Sequence, residues 1–539
     1  MKSIFKTISF FTVCTFLLLQ IPALPEIEAR PGGGSSYRSS SGSSRSSSSG
    51  SRSSSSRSSG SSSSSGGSSG SSSYSSSSDG DNLIWLLVQL IFAYPAIGIP
   101  AIVLIAIAFF VANRNKPNKV IASNSGMQQV SMPDRGPTLS VAENIDEVIE
   151  SYKTKDPEFS RVVLVDFVSL LYHQVHENRA SQSIKNLKPF MEPALLSGLA
   201  SPSQTPVSVD EIVIGAIHLE NIQSEAEFDY IQLYIEANYS EFASLTEKKN
   251  GKRFIVEERW KLRRKSGLLS GNPDKMQELS CPNCGSGLSL DEFGACKYCK
   301  TSVAPGTMQW ELYNIKQILK EESPDWSFGT QVEEQGTERP TIFSNSLNEE
   351  KAAFASRNQL PDFSSFEQTF SEKIVRPIFK NVYDSWSTRN WMKARPVMSD
   401  RLFDSHYYWI KEYEQKNAWN KLDNLNLKKI EVVRIESDKY YEAITARLHA
   451  SVLDYVEDGS GQLLGGSKTK PRDFTEYWTF IRRAGATKKE DDFNADQCPN
   501  CGAPIKMGMT GVCEYCKSKV TTGNFNWVLG TITQDEIYG

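Results

Sequence analysis

Hydrophobic and polar positions follow the same order in two long stretches of this chain, with a helix-like period first and a strand-like period afterwards. In the later stretch, apolar side chains recur at about every fourth position and predict one face of a helix: Phe366, Phe370, Ile374, Ile378 and Val382. A second helix is predicted over 391–415, and residues 430–435 and 443–452 then alternate as half-buried antiparallel strands do. The earlier stretch shows a predicted helix followed by three predicted strands: 161–177, 211–219, 228–239 and 253–263. Helices followed by an antiparallel meander predict the α+β class, with a curved sheet wrapped on helices in each stretch.

The similarity of the two stretches extends to single aromatic residues. Trp260 and Trp478 each precede a cysteine-rich segment by almost the same distance, and Trp310 and Trp527 each follow one. A pattern that returns after about two hundred residues is typical of an internal repeat. We therefore predict two tandem copies, each a domain followed by a cysteine-rich ribbon, with Trp260 and Trp478 packed in the core.

The residues before the two copies predict a membrane-anchored amino-terminal region. Lys2 and Lys6 precede an apolar run, and Ala29 offers a small residue for cleavage, so residues 1–29 are predicted to be a secretory signal peptide. Residues 30–82 are rich in Ser and Gly and are predicted to be a disordered tether, since they offer little apolar surface to bury. Residues 83–112 contain no charge and exceed the roughly 20 residues that cross a bilayer, which predicts a transmembrane segment.

The charges on either side of this segment predict its orientation. Acidic residues precede it, whereas Arg114, Lys116 and Lys119 follow it. Because basic residues are enriched on the cytoplasmic side of membrane spans, everything after residue 112 is predicted to be cytoplasmic. The predicted location is therefore the cell membrane, inner or plasma, with a single pass and an exported Ser-rich segment.

The cysteines form two candidate metal-binding sites. Eight of the nine cysteines form two copies of the pattern C-x2-C-x11-C-x2-C, and the ninth, Cys14, lies in the predicted signal peptide. The eight are Cys281, Cys284, Cys296, Cys299, Cys498, Cys501, Cys513 and Cys516. Four thiolates in two such hooks close a tetrahedral shell around zinc and leave no position for a substrate. We predict two structural zinc ions, one for each ribbon.

Disulfide bonds and an iron site are two alternative roles for these cysteines. Disulfides would need an oxidising compartment, and the predicted cytoplasmic location keeps thiols reduced and available to a metal. Rubredoxin-like iron would fit the same hooks, but nothing else in the chain indicates electron transfer. Tyr298 and Tyr515, which lie inside the second hooks, are predicted to pack on the ribbons.

Composition shifts between these features set the predicted domain boundaries. After the transmembrane segment, a linker, a first domain and a first ribbon are predicted over 113–148, 149–275 and 276–320. A second linker, a second domain and a second ribbon with a terminal strand are predicted over 321–358, 359–490 and 491–539.

The charge pattern argues against nucleic acid as a partner. The net charge is −4 over 539 residues, and the basic runs near Arg264 and Arg482 alternate with apolar residues, as the solvated face of a strand does. The paired arginines could instead bind an acidic lipid head group or a carboxylate.

One segment resembles a known family. Leu453-Asp-Tyr-Val-Glu-Asp-Gly, the Gly-rich stretch up to Gly465, and Thr475-Glu-Tyr-Trp-Thr-Phe-Ile-Arg resemble the closing strands of the Tim44-like domain, named for a mitochondrial import-motor anchor subunit. The resemblance covers about 361–483 and is faint over 156–264, where Glu247-Lys-Lys-Asn-Gly251 replaces the Gly-rich hairpin. It implies a cone-shaped domain similar to the nuclear transport factor 2-like (NTF2-like) fold, acting as a membrane-associated binding module for lipid or protein. The amino terminus does not support a mitochondrial address.

The sequence offers few candidates for catalysis, and we predict that the chain is not an enzyme. His173 and His176 lie one helical turn apart but lack a third ligand, and His449 could form an acid–base set with Tyr441 and Asp454 in a pocket. The predicted function is that of a membrane-anchored binding or scaffold protein in membrane protein biogenesis or translocation. Its predicted partners are the lipid bilayer and an unidentified protein. The alternative is an enzyme or small-ligand-binding protein that uses the cone pocket.

Overall fold

The computed structural model describes residues 139–142, 144–179, 181–200, 208–243, 251–271, 273, 295–303, 305–306, 309–322, 339–486, 490–535 and 538. The predicted signal peptide, the tether, the transmembrane segment, Cys281 and Cys284 lie outside these residues. Among the helices of the described residues, none is both long enough and apolar enough to cross a membrane.

The first module comprises the described residues between 139 and 322. Its helices are α1 (Ile145–Lys153), α2 (Arg161–Asn178) and α3 (Pro193–Ala200), with a 3-10 helix at Gln182–Phe190. Its strands are β1 (Ser208–Ser224), β2 (Phe228–Phe242), β3 (Lys252–Lys265) and β4 (Glu311–Glu322). The strands form one antiparallel sheet in the order β1-β2-β3-β4, and α2 packs on it.

The second module comprises the described residues between 339 and 538. Its helices are α4 (Leu347–Arg357), α5 (Phe363–Phe370), α6 (Arg376–Ser387) and α7 (Asp400–Gln415), with a π-helical turn at Ser371–Val375 and a 3-10 helix at Trp391–Val397. Its strands are β5 (Ala418–Ser437), β6 (Tyr441–Asp458), β7 (Leu463–Gly466), β8 (Arg472–Arg483) and β9 (Val528–Gln534). The sheet order is β5-β6-β8-β9, and β7 pairs with β6. The predicted α+β class with antiparallel sheets is therefore confirmed.

Short polar side chains fix where the main helices begin. The side chains of Ser160, Asp362 and Ser399 accept hydrogen bonds from the first-turn N–H groups of α2, α5 and α7. Ser399 thereby separates α7 from the 3-10 helix before it, where one continuous helix was predicted. Pro377 lies in the first turn of α6, and the π-helical turn directly before α6 accommodates its ring and its missing N–H while the helical path continues.

The structure corrects the predicted position of the ribbons. Each cysteine-rich segment lies between the last two strands of the main sheet path, β3 and β4 in the first module and β8 and β9 in the second. The ribbons were predicted to follow complete domains. They are instead insertions in the final hairpin, so the strand after each ribbon completes the sheet.

The predicted second linker, 321–358, also differs from what the structure shows. It contains the end of β4 and all of α4, whose Phe354 is fully buried in the core of the second module. Its aromatic ring lies 4.8 Å from that of Phe366 on α5. Residues from 347 onward therefore belong to the packed second module.

Trp478→Ala tests the core of the second module. Trp478 is fully buried, and its removal leaves a cavity between α6 and the sheet. We expect the free energy of unfolding to fall by about 3–5 kcal/mol, measured by chemical denaturation of the full chain in detergent. The control is Leu463→Ala, whose side chain is 46% exposed, and for which we expect a change below about 0.5 kcal/mol. Equal effects of the two substitutions would contradict this description of the core.

Candidate metal centre

Four cysteines converge at the second ribbon. Cys498 and Cys513 are buried, Cys516 is half-buried and Cys501 is exposed. Their four sulfur atoms all lie within 4.8 Å of one another. Among the described residues, this is the one group of three or more Cys, His, Asp or Glu side chains whose ligand atoms converge in this way.

The backbone of each hook folds back so that the thiols meet. In the first hook the N–H of Gly502 donates to the carbonyl of Cys498 at 2.8 Å, and in the second hook Lys517 donates to Cys513 at 3.0 Å. Gly502 and Lys517 both have positive φ, 72° and 60°, which is the left-handed conformation that such a turn needs. Glycine is suited to this conformation, and lysine adopts it after the second hook.

The distances fit a tetrahedral thiolate site. With zinc–sulfur bonds of about 2.3 Å, the sulfurs of a regular tetrahedron are about 3.8 Å apart. The Sγ atoms of Cys498 and Cys516 are 3.7 Å apart, which is close to that spacing. All four positions of such a shell would be occupied by protein, so the site is suited to hold a structural metal and not to bind a substrate.

Outer hydrogen bonds orient one ligand and favour its thiolate. Asn500 donates to the sulfur of Cys516 at 3.5 Å and to the hydroxyl of Ser518 at 2.7 Å. Hydrogen bonds from the backbone and side chain of Ser518 lower the pKa of Cys516 to about 6, whereas burial raises the pKa of Cys498 to about 12. A bound cation would supply the charge that stabilises all four thiolates together.

The first ribbon repeats the geometry of one hook. The N–H of Cys296 donates to the carbonyl of Thr301 at 2.9 Å, and Lys300 donates to Cys296 at 2.8 Å. Cys513, Ser518 and Lys517 make the corresponding bonds in the second ribbon. Lys300 has a φ of 62°, and Cys296 is fully buried. Cys281 and Cys284, the other two predicted ligands, lie outside the described residues.

Each ribbon is held to its sheet by a buried arginine and a tryptophan. The guanidinium of Arg264 lies 4.5 Å from the ring of Trp310, and that of Arg482 lies 4.4 Å from the ring of Trp527. Both tryptophans come directly before the strand that follows the ribbon. Arg264 also pairs with Asp156, and Arg482 pairs with Glu442 at 2.7 Å. These two arginines are sequestered inside the chain, so the hypothesis that they bind an acidic lipid or a carboxylate is wrong for them.

A buried glutamate lies two residues before the core tryptophan in each sheet. The indole N–H of Trp260 donates to Glu258 at 2.8 Å, and that of Trp478 donates to Glu476 at 2.8 Å. All four side chains are fully buried. Sequence reasoning missed the glutamates, although a spacing of two along a strand places them on the same face as the tryptophan.

Aromatic side chains fill the concave face around Trp478. Phe379 and Tyr383 of α6 lie 5.3 Å and 6.1 Å from its ring, and the hydroxyl of Tyr383 donates to Glu476 at 3.0 Å. Each of these side chains is at most 2% exposed. This part of the predicted cone is therefore packed by the protein's own side chains.

The structure does not assemble the predicted acid–base set. His449 lies 2.9 Å from Glu431, whereas Tyr441 stacks with Arg483 and Asp454 accepts a hydrogen bond from Asn420. His449, Tyr441 and Asp454 lie on the same long strand, and at about 3.3 Å per residue His449 is about 26 Å from Tyr441 and about 17 Å from Asp454 along it. Their spacing along this strand therefore keeps the three side chains apart.

His173 and His176 also have different surroundings. His176 is fully buried against Glu258, whereas His173 is half-buried and lies 3.8 Å from Glu177. They therefore do not form a metal pair. Tyr298 and Tyr515, predicted to pack on the ribbons, are 68% and 60% exposed, so that prediction is wrong.

A cleft of about 240 Å³ lies between the two modules. Asp166 and His173 of α2 line one wall, and Asp400 and Asp404 of α7 line the other. Lys519 of the second ribbon lies 2.8 Å from Asp400. Side chains of both modules and of the second ribbon therefore line the cleft. The ion pair between Lys519 and Asp400 neutralises part of the negative charge of its acidic side chains.

Comparisons with known proteins find one family match, and it lies within the second module. Residues 351–491 match the family model of the Tim44-like domain. The resemblance predicted from the closing strands is confirmed for this segment. No protein in the curated set matches the chain.

One similar solved structure is an "Ntf2 like protein involved in plasmid conjugation". It is 8% identical, the alignment covers 68% of this chain and 92% of that chain, and the TM-score is 0.16.

Cys513→Ser tests the metal centre. The fully buried Cys513 is one of four converging thiols, and its loss opens the shell. We expect the full chain, purified under reducing conditions, to lose one equivalent of bound metal, because three thiolates remain where four would close the shell. Elemental analysis of the purified protein measures the loss.

The matched control is Tyr515→Ala in the same hook, whose side chain is 60% exposed. It should keep the metal content of the original protein. An unchanged metal content in Cys513→Ser would refute the site.

Proposed function

We propose that the chain is a membrane-anchored, non-enzymatic binding or scaffold protein that takes part in membrane protein biogenesis or translocation. The observation that carries the proposal is the Tim44-like match over residues 351–491, a module whose concave face is closed by Phe379, Tyr383 and Trp478. Because these side chains fill the interior, a partner would bind at the outer surface of the module. The alternative, an enzyme or small-ligand binder, would need a pocket at this concave face.

The proposed architecture is a duplicated NTF2-like cone, with each copy carrying one structural zinc ion. Three features common to the modules support the duplication: the order of helices and strands, the buried Glu–Trp pair, and the Arg–Trp contact beside each ribbon. The second hook of the first ribbon, built like that of the second, supports a zinc site there as well. The proposed content is two zinc ions per chain, because each pattern supplies four thiolates.

The proposed topology rests on the amino-terminal sequence. A cleavable signal peptide, an exported Ser-rich tether and a single span over 83–112 would leave both modules in the cytoplasm. A reducing cytoplasm would keep the thiols available to zinc, and this agrees with the converging, unbridged cysteines of the second ribbon. The bilayer and a protein are the proposed partners.

Photo-crosslinking in intact membranes tests the proposed function. A photoreactive amino acid replaces Leu463 or Tyr515, two exposed positions on the hairpin and the ribbon of the second module, in the full chain. We expect discrete crosslinks to a protein, and we expect the chain to stay in the membrane pellet after alkaline extraction.

Two controls separate the parts of the proposal. The same photoreactive residue in a Trp478→Ala background should lose the protein crosslinks, because the surface depends on the packed core. Deletion of residues 83–112 should release the chain from the pellet. Crosslinks to lipid alone would refute a protein partner, and a chain that stays soluble with residues 83–112 present would refute the anchor.

A further inference from the structure

The first module has a buried ionisable pair where the second module has a neutral partner for its glutamate. Nε2 of His176 on α2 lies 3.2 Å from Glu258 on β3, and both side chains have no exposed surface. In the second module the hydroxyl of Tyr383 on α6 occupies the corresponding place and donates to Glu476 at 3.0 Å. Both glutamates also accept the indole N–H of their tryptophan.

Several charged and titratable groups surround His176. Arg179 on the same helix pairs with Glu241 of β2, and Lys320 of β4 lies 2.8 Å from the same glutamate. The charges therefore alternate in sign across the concave face. The groups that face or influence His176 are Tyr172 and Arg179 from α2, Tyr239 and Glu241 from β2, Glu258 from β3 and Lys320 from β4.

The hydrogen bonds of His176 indicate its neutral tautomer. The contact with the carboxylate of Glu258 places the proton on Nε2, so Nδ1 is unprotonated and can only accept a hydrogen bond. Nδ1 is buried and has no hydrogen-bond partner among the described residues, and Oε1 of Glu258 likewise has none. A second proton on the ring would therefore create a buried N–H donor with no acceptor in place.

We propose that the His176–Glu258 pair makes the first module an acid-sensitive switch, in which protonation of His176 loosens α2 from the sheet while the second module stays closed. The affected contacts are specific. The ring of His176 stacks on Trp260 at 6.2 Å and lies 5.1 Å from Tyr239, so a displaced imidazolium disturbs the centre of this core. The second module lacks the trigger because the phenol of Tyr383 takes the place of the imidazole there.

The direction of the pH dependence follows from linkage. Burial, despite the nearby carboxylates, lowers the pKa of His176 below its usual value. The opened module therefore takes up a proton before the closed one does, and the stabilising contribution is full above about pH 6.5 and falls at lower pH. The closed-to-open ratio should fall about tenfold for each pH unit below that value.

Hydrogen exchange of the full chain in detergent, corrected for the intrinsic pH dependence of exchange, tests the proposal. Between pH 7.5 and 5.5, protection of α2 and β3 should fall by about tenfold, whereas protection of α6 and β8 should change less than twofold. His176→Gln keeps a neutral N–H donor toward Glu258 but cannot be protonated in this range, and should abolish the fall. His176→Tyr, which copies the second module, should do the same, so the test does not depend on one variant folding.

Two further variants separate this switch from general acid sensitivity. His218 on β1 also has a pKa lowered by burial, and His218→Gln should retain the fall in protection of α2. Tyr383→His beside Glu476 should transfer acid sensitivity to the second module. The proposal is overturned if His176→Gln retains the transition, if His218→Gln removes it, or if both modules of the original chain lose protection equally.

Discussion

The fold of each module depends on a hydrogen bond between a tryptophan and a glutamate that are both removed from water. Trp260 with Glu258, and Trp478 with Glu476, lie two residues apart on the third strand of the main sheet path, so each pair points to the concave face. An ionised carboxylate in this position is costly unless it is hydrogen-bonded, and the indole N–H and one helix side chain both bond to its Oε2 atom. The helix, the sheet and the large aromatic core are thereby fixed relative to one another.

The helix residue that contacts the buried glutamate differs between the two modules. A phenol in the second module completes the network with a neutral donor, whereas the first module has an imidazole, a group that can take up a proton and whose pKa is lowered by burial. A difference of one side chain therefore separates a stable core from one that senses pH. Two modules with the same arrangement of helices and strands can therefore differ in their response to pH.

Each ribbon is connected to its sheet through the last two strands of the main sheet path. Because each ribbon is inserted before the last strand, the chain passes from the ribbon directly into β4 or β9. Arg264 and Arg482 then stack on Trp310 and Trp527, so the ribbon, the third strand and the last strand are joined at one place. The ribbons therefore meet the sheets at the last strand of each module.

The sequence by itself determined the α+β class, the main helices and strands, the Tim44-like segment and the four thiols of the second ribbon, because periodicity and spacing are local properties. It could not place the ribbons within the final hairpin, since strand order depends on pairing between residues far apart in the chain. Nor could it join His176 to Glu258, which are 82 positions apart. Only the tertiary structure decided which polar groups share a buried space, because burial and partnership arise when distant elements pack.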